Sequence, residues 1–510
     1  MDNTLPASID PVFAALEPAA VWAHFAMLCR IPRQSKAEGR LRDEIQRWAL
    51  ARGLSASVDS AGNLLLRKAA SRGMEKAPGV VLQAHLDMVC QKNAGTAHDF
   101  SRDPIRPLCR DGWLLAEDTT LGADNGIGVA LILAVFEDDT LRHGPLEALL
   151  TVDEEAGMGG AHGLQPGLLQ GRLLLNLDTE EWGEFYLGCA GGLDVNVRRE
   201  GRAEGLPAGH TGLRVDLRGL RGGHSGIDID AERGNAIKLL VRVLRDLGSR
   251  FPMRLAELNG GSARNALPRE ASATLAVPSA DADALAASLV AWQSLLRQEL
   301  QGVDEALEID LAAAAVAEVM SSDDQFVWLA SLSAAPHGVR RRSLSVAGVV
   351  ETSNNLGMVG LTASGGSCNF MVRSLIESGS AALADEIVAL FALSGTAAEK
   401  AGHYPGWTPN PASPLLALCQ SVYRRQFGAE STVQVIHAGL ECGLIAARYP
   451  GLDVVSFGPT IRGAHAPGER VDIASVGRAW QLLTAILTAI GASGSAGDEW
   501  LRLRVAESMV

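Results

Sequence analysis

The stretch VLQAHLDMV, residues 81–89, decides how the chain is to be read. Val80, Val81 and Leu82 form an apolar run that Gln83 and Ala84 extend, as in a strand buried on both faces. The run then ends in two polar residues, His85 and Asp87, two positions apart. Residues two apart in a strand point to the same side, so the pair would face one place just where the strand stops.

Working outward, GVVLQAHL (79–86) and LEALLTV (146–152) read as strands, with NGIGVALILAVFEDD (125–139) a helix between them. GRLLLNLD (171–178) is a further strand. Near-continuous apolar strands alternating with helices predict an α/β/α layer structure with a mostly parallel sheet. An amphipathic helix over 37–52, carrying Leu41, Ile45, Trp48 and Ala49 at helical spacing, opens this fold. The texture changes after GCAGGLDVNV (188–197). An alternating strand at TGLRVDLRG (211–219), a long helix at 234–248 and alanine-rich helices at 280–302 and 380–396 predict an inserted α+β domain. The first pattern resumes with TVQVIHAG (432–439), GLIAARY (443–449), LDVVSFG (452–458) and a closing helix at 474–490. The expected division is therefore one domain in two segments, 1–194 and 401–510, interrupted by an inserted domain over 195–400. Insertion is physically reasonable because domain termini lie close together at the surface.

The totals agree. A chain of 510 residues is too long for one ordinary core. No apolar run is expected to reach the roughly 18 residues that cross a bilayer, and MDNTLPASIDPVF carries no basic region followed by an apolar stretch. A cytoplasmic protein without a membrane partner is expected. The net charge of −14 disfavours nucleic acid as a partner. Seven dispersed cysteines without a C-x-x-C pair argue against a disulfide framework and a cysteine-rich zinc site, leaving free core thiols.

In open α/β sheets ligands bind beyond the carboxyl ends of the strands, and this chain puts its polar groups there repeatedly. His85 and Asp87 end one strand, and Asp124 lies in the loop that opens the next helix. Glu154 and Glu155 follow LLTV, Asp178 ends RLLLNLD, and His465 lies in the loop after VVSFG. Carboxylates gathered in one crevice resist ionisation, and divalent cations remove that difficulty. Two imidazoles with three carboxylates suit zinc or manganese better than calcium. A bridging carboxylate holding two metals about 3.5–4 Å apart is the usual arrangement for metal-assisted hydrolysis. The HExxH helix of zincins is absent.

AHLDMV, TTLGADNGIG, TVDEEAGMGGA, LDTEEWGEFYLGCAGG, GGHSGIDI and AHAPGERV together resemble the M20 metallopeptidases, in order and wording most of all the bacterial aminoacyl-histidine (Xaa-His, carnosine-cleaving) dipeptidases. The resemblance runs from IPRQS at 31 to the final helix. It implies that His85 and Asp178 bind one metal and Glu155 and His465 the other, with Asp124 bridging and the bond Asp124–Asn125 cis. It implies zinc, with manganese or cobalt as alternatives. Asp87 would orient His85, since a metal-bound imidazole usually donates its other N–H to a carboxylate, and Glu154 would be the general base. In the inserted domain it implies that His224 stabilises the oxyanion, supplied in dimeric relatives by the partner subunit. Asn265 and Arg373 would hold the substrate's free carboxylate, and Glu441 would shape the substrate end. The expected activity is hydrolysis of short peptides, Xaa-His dipeptides such as β-Ala-His, by a homodimer joined through the inserted 195–400 domain, which the resemblance makes a lid/dimerisation domain on the catalytic segments 1–194 and 401–510. Another dipeptidase, a tripeptidase or an N-acyl amino-acid deacylase would share the metal motifs. A non-catalytic binding protein on the same scaffold would lack a ligand or the base, and none is missing here.

Overall fold

The computed structural model describes residues 11–492. The chain forms two compact units. The first takes the residues up to Gly188, then Asn410–Val435, and those from Leu444 onward; the second takes Cys189–Pro409 with the short segment Ile436–Gly443.

The first unit is built on an eight-stranded sheet whose strands, named by first residue, run in the order Ser55, Leu64, Leu146, Val80, Leu173, Asp453, Glu184, Thr432. Val80–His85 pairs in parallel with Leu146–Thr151 on one side and with Leu173–Asn176 on the other, and Leu173–Asn176 pairs in parallel with Asp453–Ser456. The parallel order stops there, which narrows the expectation of a mostly parallel sheet. Ser55–Val58, Leu64–Lys68 and Glu184–Cys189 join antiparallel, and the connection from Val58 to Leu64 is a tight hairpin, which only antiparallel neighbours allow. All four central strands are buried along their length, as apolar runs covered on both faces should be.

The helix Ala123–Glu137 packs against Val80–His85 and against a helix the sequence reading omits, Ala19–Arg30. The expected helix follows it at Gly39–Ala51. The earlier one escaped because AAVWAHFAMLCR is apolar nearly all round, so it lacks the polar stripe by which a surface helix is read. The closing helix Ile473–Ala492 is, by length and composition, apolar enough to cross a membrane, which corrects the expectation that no run is. It packs here on Pro414–Phe427 and on Ala123–Glu137, burying Val476, Leu482, Leu483, Ile486 and Ile490.

The second unit is an antiparallel sheet of nine strands carrying four long helices, Ala236–Arg250, Ala282–Glu299, Ser322–Ala334 and Glu377–Ala392, which share one apolar core with it. In His210–Arg218, Val215 and Leu217 face that core, while Arg214, Asp216 and Arg218 take the other face. The unit is wider than the 195–400 expected. Gly191–Glu200 pairs with Ala397–Tyr404 as far as Tyr404 opposite Gly192, so the chain on both sides of the expected limits belongs to this sheet. The cysteines are all free; Cys109 is exposed and Cys90 partly so, unlike the core positions expected.

Candidate metal centre and substrate end

Because the central strands run parallel, their carboxyl ends open on one side, and the polar residues read from the sequence meet there. His85 is the last residue of its strand and is 1% exposed. Its Nε2 lies 3.2 Å from Asp124 Oδ1 and 3.4 Å from Asp178 Oδ1. His465 Nε2 lies 3.1 Å from Asp124 Oδ2 and 3.2 Å from Glu155 Oε2. Asp124 thus gives one oxygen to each imidazole, and two donor sets share it. Donors on a tetrahedral cation with bonds of about 2.0–2.1 Å stand about 3.3–3.4 Å apart, and the imidazole–carboxylate distances of 3.1–3.4 Å lie close to that spacing. His85, Asp124 and Glu155 each offer an atom within 4.8 Å of the others. Glu155 Oε1 is buried without a hydrogen-bond partner, a lone pair available for a cation. The bond Asp124–Asn125 is cis, as expected.

The charges tell the same story. Burial works against a charged His85, yet the Asp178 carboxylate and contacts with Asp124, Asp178 and Asp87 hold its imidazole well above the usual range. Hydrogen bonds to Asp124 and Glu155 push His465 up to about 11, and burial pushes Asp178 up to about 6. Carboxylates that hold protons on their neighbours this tightly are short of positive charge, and bound cations supply it.

Asp87 does more than the sequence suggested. Its Oδ1 accepts from the Glu154 N–H at 3.0 Å and its Oδ2 from the Glu155 N–H at 3.1 Å, with the Ser35 hydroxyl donating to Oδ2 at 2.8 Å. Its carboxylate stands 3.4 Å from His85 Nδ1, whereas its own carbonyl is closer at 3.1 Å. Asp87 therefore positions the loop bearing the adjacent glutamates as well as the imidazole.

Three residues that sequence reasoning left without a role hold the centre together. Glu469, four residues after His465 and 2% exposed, accepts the backbone N–H groups of Leu121, Gly122, Ala123 and Asp124 at 2.7–3.2 Å. One carboxylate thus satisfies the start of the Ala123–Glu137 helix, where an anion is favoured, and ties the bridging Asp124 to the His465 loop. Arg33 donates to the carbonyls of Leu86 (3.0 Å), Asp87 (2.9 Å) and Gly122. Asn125 donates to the Leu177 carbonyl at 2.8 Å and to the Asp178 carboxylate. The signal available beforehand was the presence of charged residues in apolar or glycine-rich surroundings, at Arg33 in IPRQS and Glu469 in AHAPGERV.

The remaining predicted residues lie in the second unit. His224 Nδ1 accepts from the N–H groups of Gly226 and Ile227 at 3.2 and 3.1 Å, which leaves the ring proton on Nε2. Burial, with the Arg373 charge, pushes this imidazole down to about 4, so it is a neutral donor. Arg373 is 3% exposed and lies 3.4 Å from His224 Nε2; it donates to the Tyr404 hydroxyl at 2.9 Å and to Ser225 Oγ at 3.3 Å. Asn265 is exposed, and its carbonyl accepts from the Ser225 N–H, joining its turn to that of His224. Glu441 is fully buried in the first turn of Glu441–Arg448. The structure thus gathers the metal-type residues in one unit and His224, Asn265, Arg373 and Glu441 in the other.

Residues 81–489 match the sequence pattern of Peptidase family M20/M25/M40. The chain is 46% identical over 480 residues to the cytosol non-specific dipeptidase of Escherichia coli (strain K12), across 94% of this chain and 99% of that protein. It is 44% identical to the aminoacylhistidine dipeptidase of Vibrio alginolyticus, whose crystal structure superposes with a TM-score of 0.85 over 94% of this chain and 98% of that one. A tripeptidase of Staphylococcus aureus shares the fold alone, with a TM-score of 0.54 at 16% identity over 94% and 99% of the two chains. With the pattern spanning both units and relatives this similar along nearly their whole length, the chain belongs to peptidase family M20/M25/M40.

Proposed function

We propose that this peptidase is a two-metal dipeptidase whose substrates are short peptides with a free C-terminus, Xaa-His dipeptides including β-Ala-His foremost. The observation that carries the reading is the division of Asp124 between two imidazoles, each with its own further carboxylate. In this reading His85 and Asp178 hold one cation, Glu155 and His465 the other, and Asp124 both. The nitrogen and carboxylate donors favour zinc, with manganese or cobalt as alternatives. Divalent cations held there would supply Lewis-acid polarisation of the scissile carbonyl and a lowered pKa for the attacking water.

Glu154 takes a proton from the attacking water and delivers it to the leaving amine. Asp87 fixes the backbone from which Glu154 acts. His224 donates its Nε2 proton to the oxyanion that develops on the carbonyl oxygen. Arg373 donates to two neutral hydroxyls, Ser225 Oγ and Tyr404, and forms no ion pair among the described residues. A buried guanidinium without a counter-ion calls for an anion, and its planar fork suits a carboxylate. Asn265 and Glu441 complete the substrate end. By the resemblance to dimeric relatives we infer a homodimer joined through the inserted unit, with the imidazole supplied by the partner subunit; closure of the inserted unit within one chain is the alternative. A cytoplasmic setting accords with the name of the E. coli relative.

The two dipeptidase relatives bear names of different breadth, and turnover decides between them. Metal-reconstituted protein assayed on Xaa-His, Xaa-Gly, tripeptide and N-acetyl amino-acid substrates is expected to cleave dipeptides fastest, Xaa-His included. Faster cleavage of tripeptides or N-acetyl amino acids would overturn the substrate assignment.

A further inference from the structure

Arg373 has a neighbour that the roles above leave unused. Ser353 stands directly opposite Arg373 where Val350–Thr362 pairs with Gly365–Ser374, so the two side chains share a face of the sheet. The Ser353 hydroxyl lies 2.8 Å from Nε2 of His437. His437 comes from the Ile436–Gly443 segment, which crosses into this unit from a distant part of the sequence. Gly226 in the GGHSG motif admits it: a Cβ there would stand 1.9 Å from the His437 carbonyl oxygen. Gly192 in the AGG motif does the same for Tyr404, the hydroxyl partner of Arg373, whose ring a Cβ would meet at 2.3 Å. Two glycine motifs are thus spent on bringing polar side chains up to one buried guanidinium.

His437 is 7% exposed, and its Nδ1 has no hydrogen-bond partner among the described residues; the Val350 backbone lies near enough to the ring to favour its protonated form. Burial, then the charges of Arg373 and His224, push the imidazole down to about 3, so the ring is neutral, with one donor and one acceptor nitrogen. Native proteins rarely leave such a nitrogen unpaired, and an open one beside a cation without a counter-ion indicates a ligand that satisfies both.

We propose that His437 donates its Nδ1 proton to the same substrate carboxylate that Arg373 binds, with the Ser353 hydroxyl donating to Nε2 to fix that tautomer. The proposal rests on the dipeptidase reading and adds to it a residue that reads the free C-terminus itself, rather than the side chain of the last residue.

The test compares kcat/KM for a dipeptide and for its C-terminal amide in the wild-type enzyme, H437N and H437Q. Both values come from one preparation, so any misfolded fraction cancels from their ratio. An Asn amide places an N–H near the position of Nδ1, whereas a Gln amide places it near Nε2. H437Q is expected to lose about 10- to 100-fold of the acid-over-amide preference, the effect of one hydrogen bond to a charged group, and H437N to keep most of it. An unchanged preference in H437Q would overturn the proposal. So would an equal loss in H437N, or the reverse order, because either would place the role of His437 in its contact with Ser353. Failure here with wild-type dipeptide turnover intact leaves the dipeptidase reading standing; absence of wild-type dipeptide turnover removes both.

Discussion

Glu154→Ala is expected to retain both metals and lose roughly 10²–10⁴-fold of kcat, the usual contribution of a general base, whereas Glu155→Ala is expected to lose metal. The two residues are adjacent, and their backbones hang from the two oxygens of one carboxylate, Asp87. Glu155 reaches His465 Nε2 at 3.2 Å and is the proposed ligand, while Glu154 is the proposed base. Removing Glu155 therefore strips one site of an anionic ligand and should lower turnover through occupancy, so that added metal restores part of it. Removing Glu154 leaves the ligands in place, and no excess of metal should help. Metal analysis after dialysis, alongside steady-state kinetics, separates the two. The reverse pattern would mean that the roles are exchanged.

His224→Ala is expected to lower kcat on the order of 10²–10³-fold, the loss seen when one oxyanion donor is removed, with little change in metal content. Two backbone N–H groups on Nδ1 keep the proton on Nε2, and burial keeps the ring neutral, so the donor is set before substrate arrives. All the metal ligands belong to the other unit, and the proposed homodimer supplies the imidazole from one subunit to the metals of its partner. Mixing a His224→Ala chain with a Glu154→Ala chain tests this. In a mixed dimer that acts across subunits, one site has both lesions and the other has neither, so activity returns towards half that of the wild type. No recovery, with mixed dimers shown to form, would rule out action in trans.

The metal-type residues were legible because each is polar at the end of a segment whose apolar run marks it as a buried strand. His85 and Asp87 after VVLQA, and Asp178 after RLLLN, are local contrasts that need no tertiary knowledge. The supports were not legible, because their partners are backbone groups far along the chain. Glu469 grips N–H groups some 345 residues away, and backbone groups leave no trace in a residue pattern. His437 was obscured differently. It lies in a segment that reads as part of the resumed α/β pattern, and only packing against Gly226 and Ser353 assigns it to the inserted unit. The helix Ala19–Arg30 was missed for want of a polar face, and the flanking antiparallel strands because short strands beside a parallel core carry no sign of their direction.

The account stands on two cations shared by Asp124, and a metal titration of the apoenzyme measures that directly. Divalent zinc, and manganese or cobalt in parallel, would be added to chelator-stripped protein while binding and dipeptide turnover are followed together. Two equivalents per chain are expected, with full activity reached only when both are bound, and Asp124→Ala should weaken both sites at once. Full activity at a single bound ion per chain, or an Asp124→Ala protein that still binds two ions with native affinity, would contradict it.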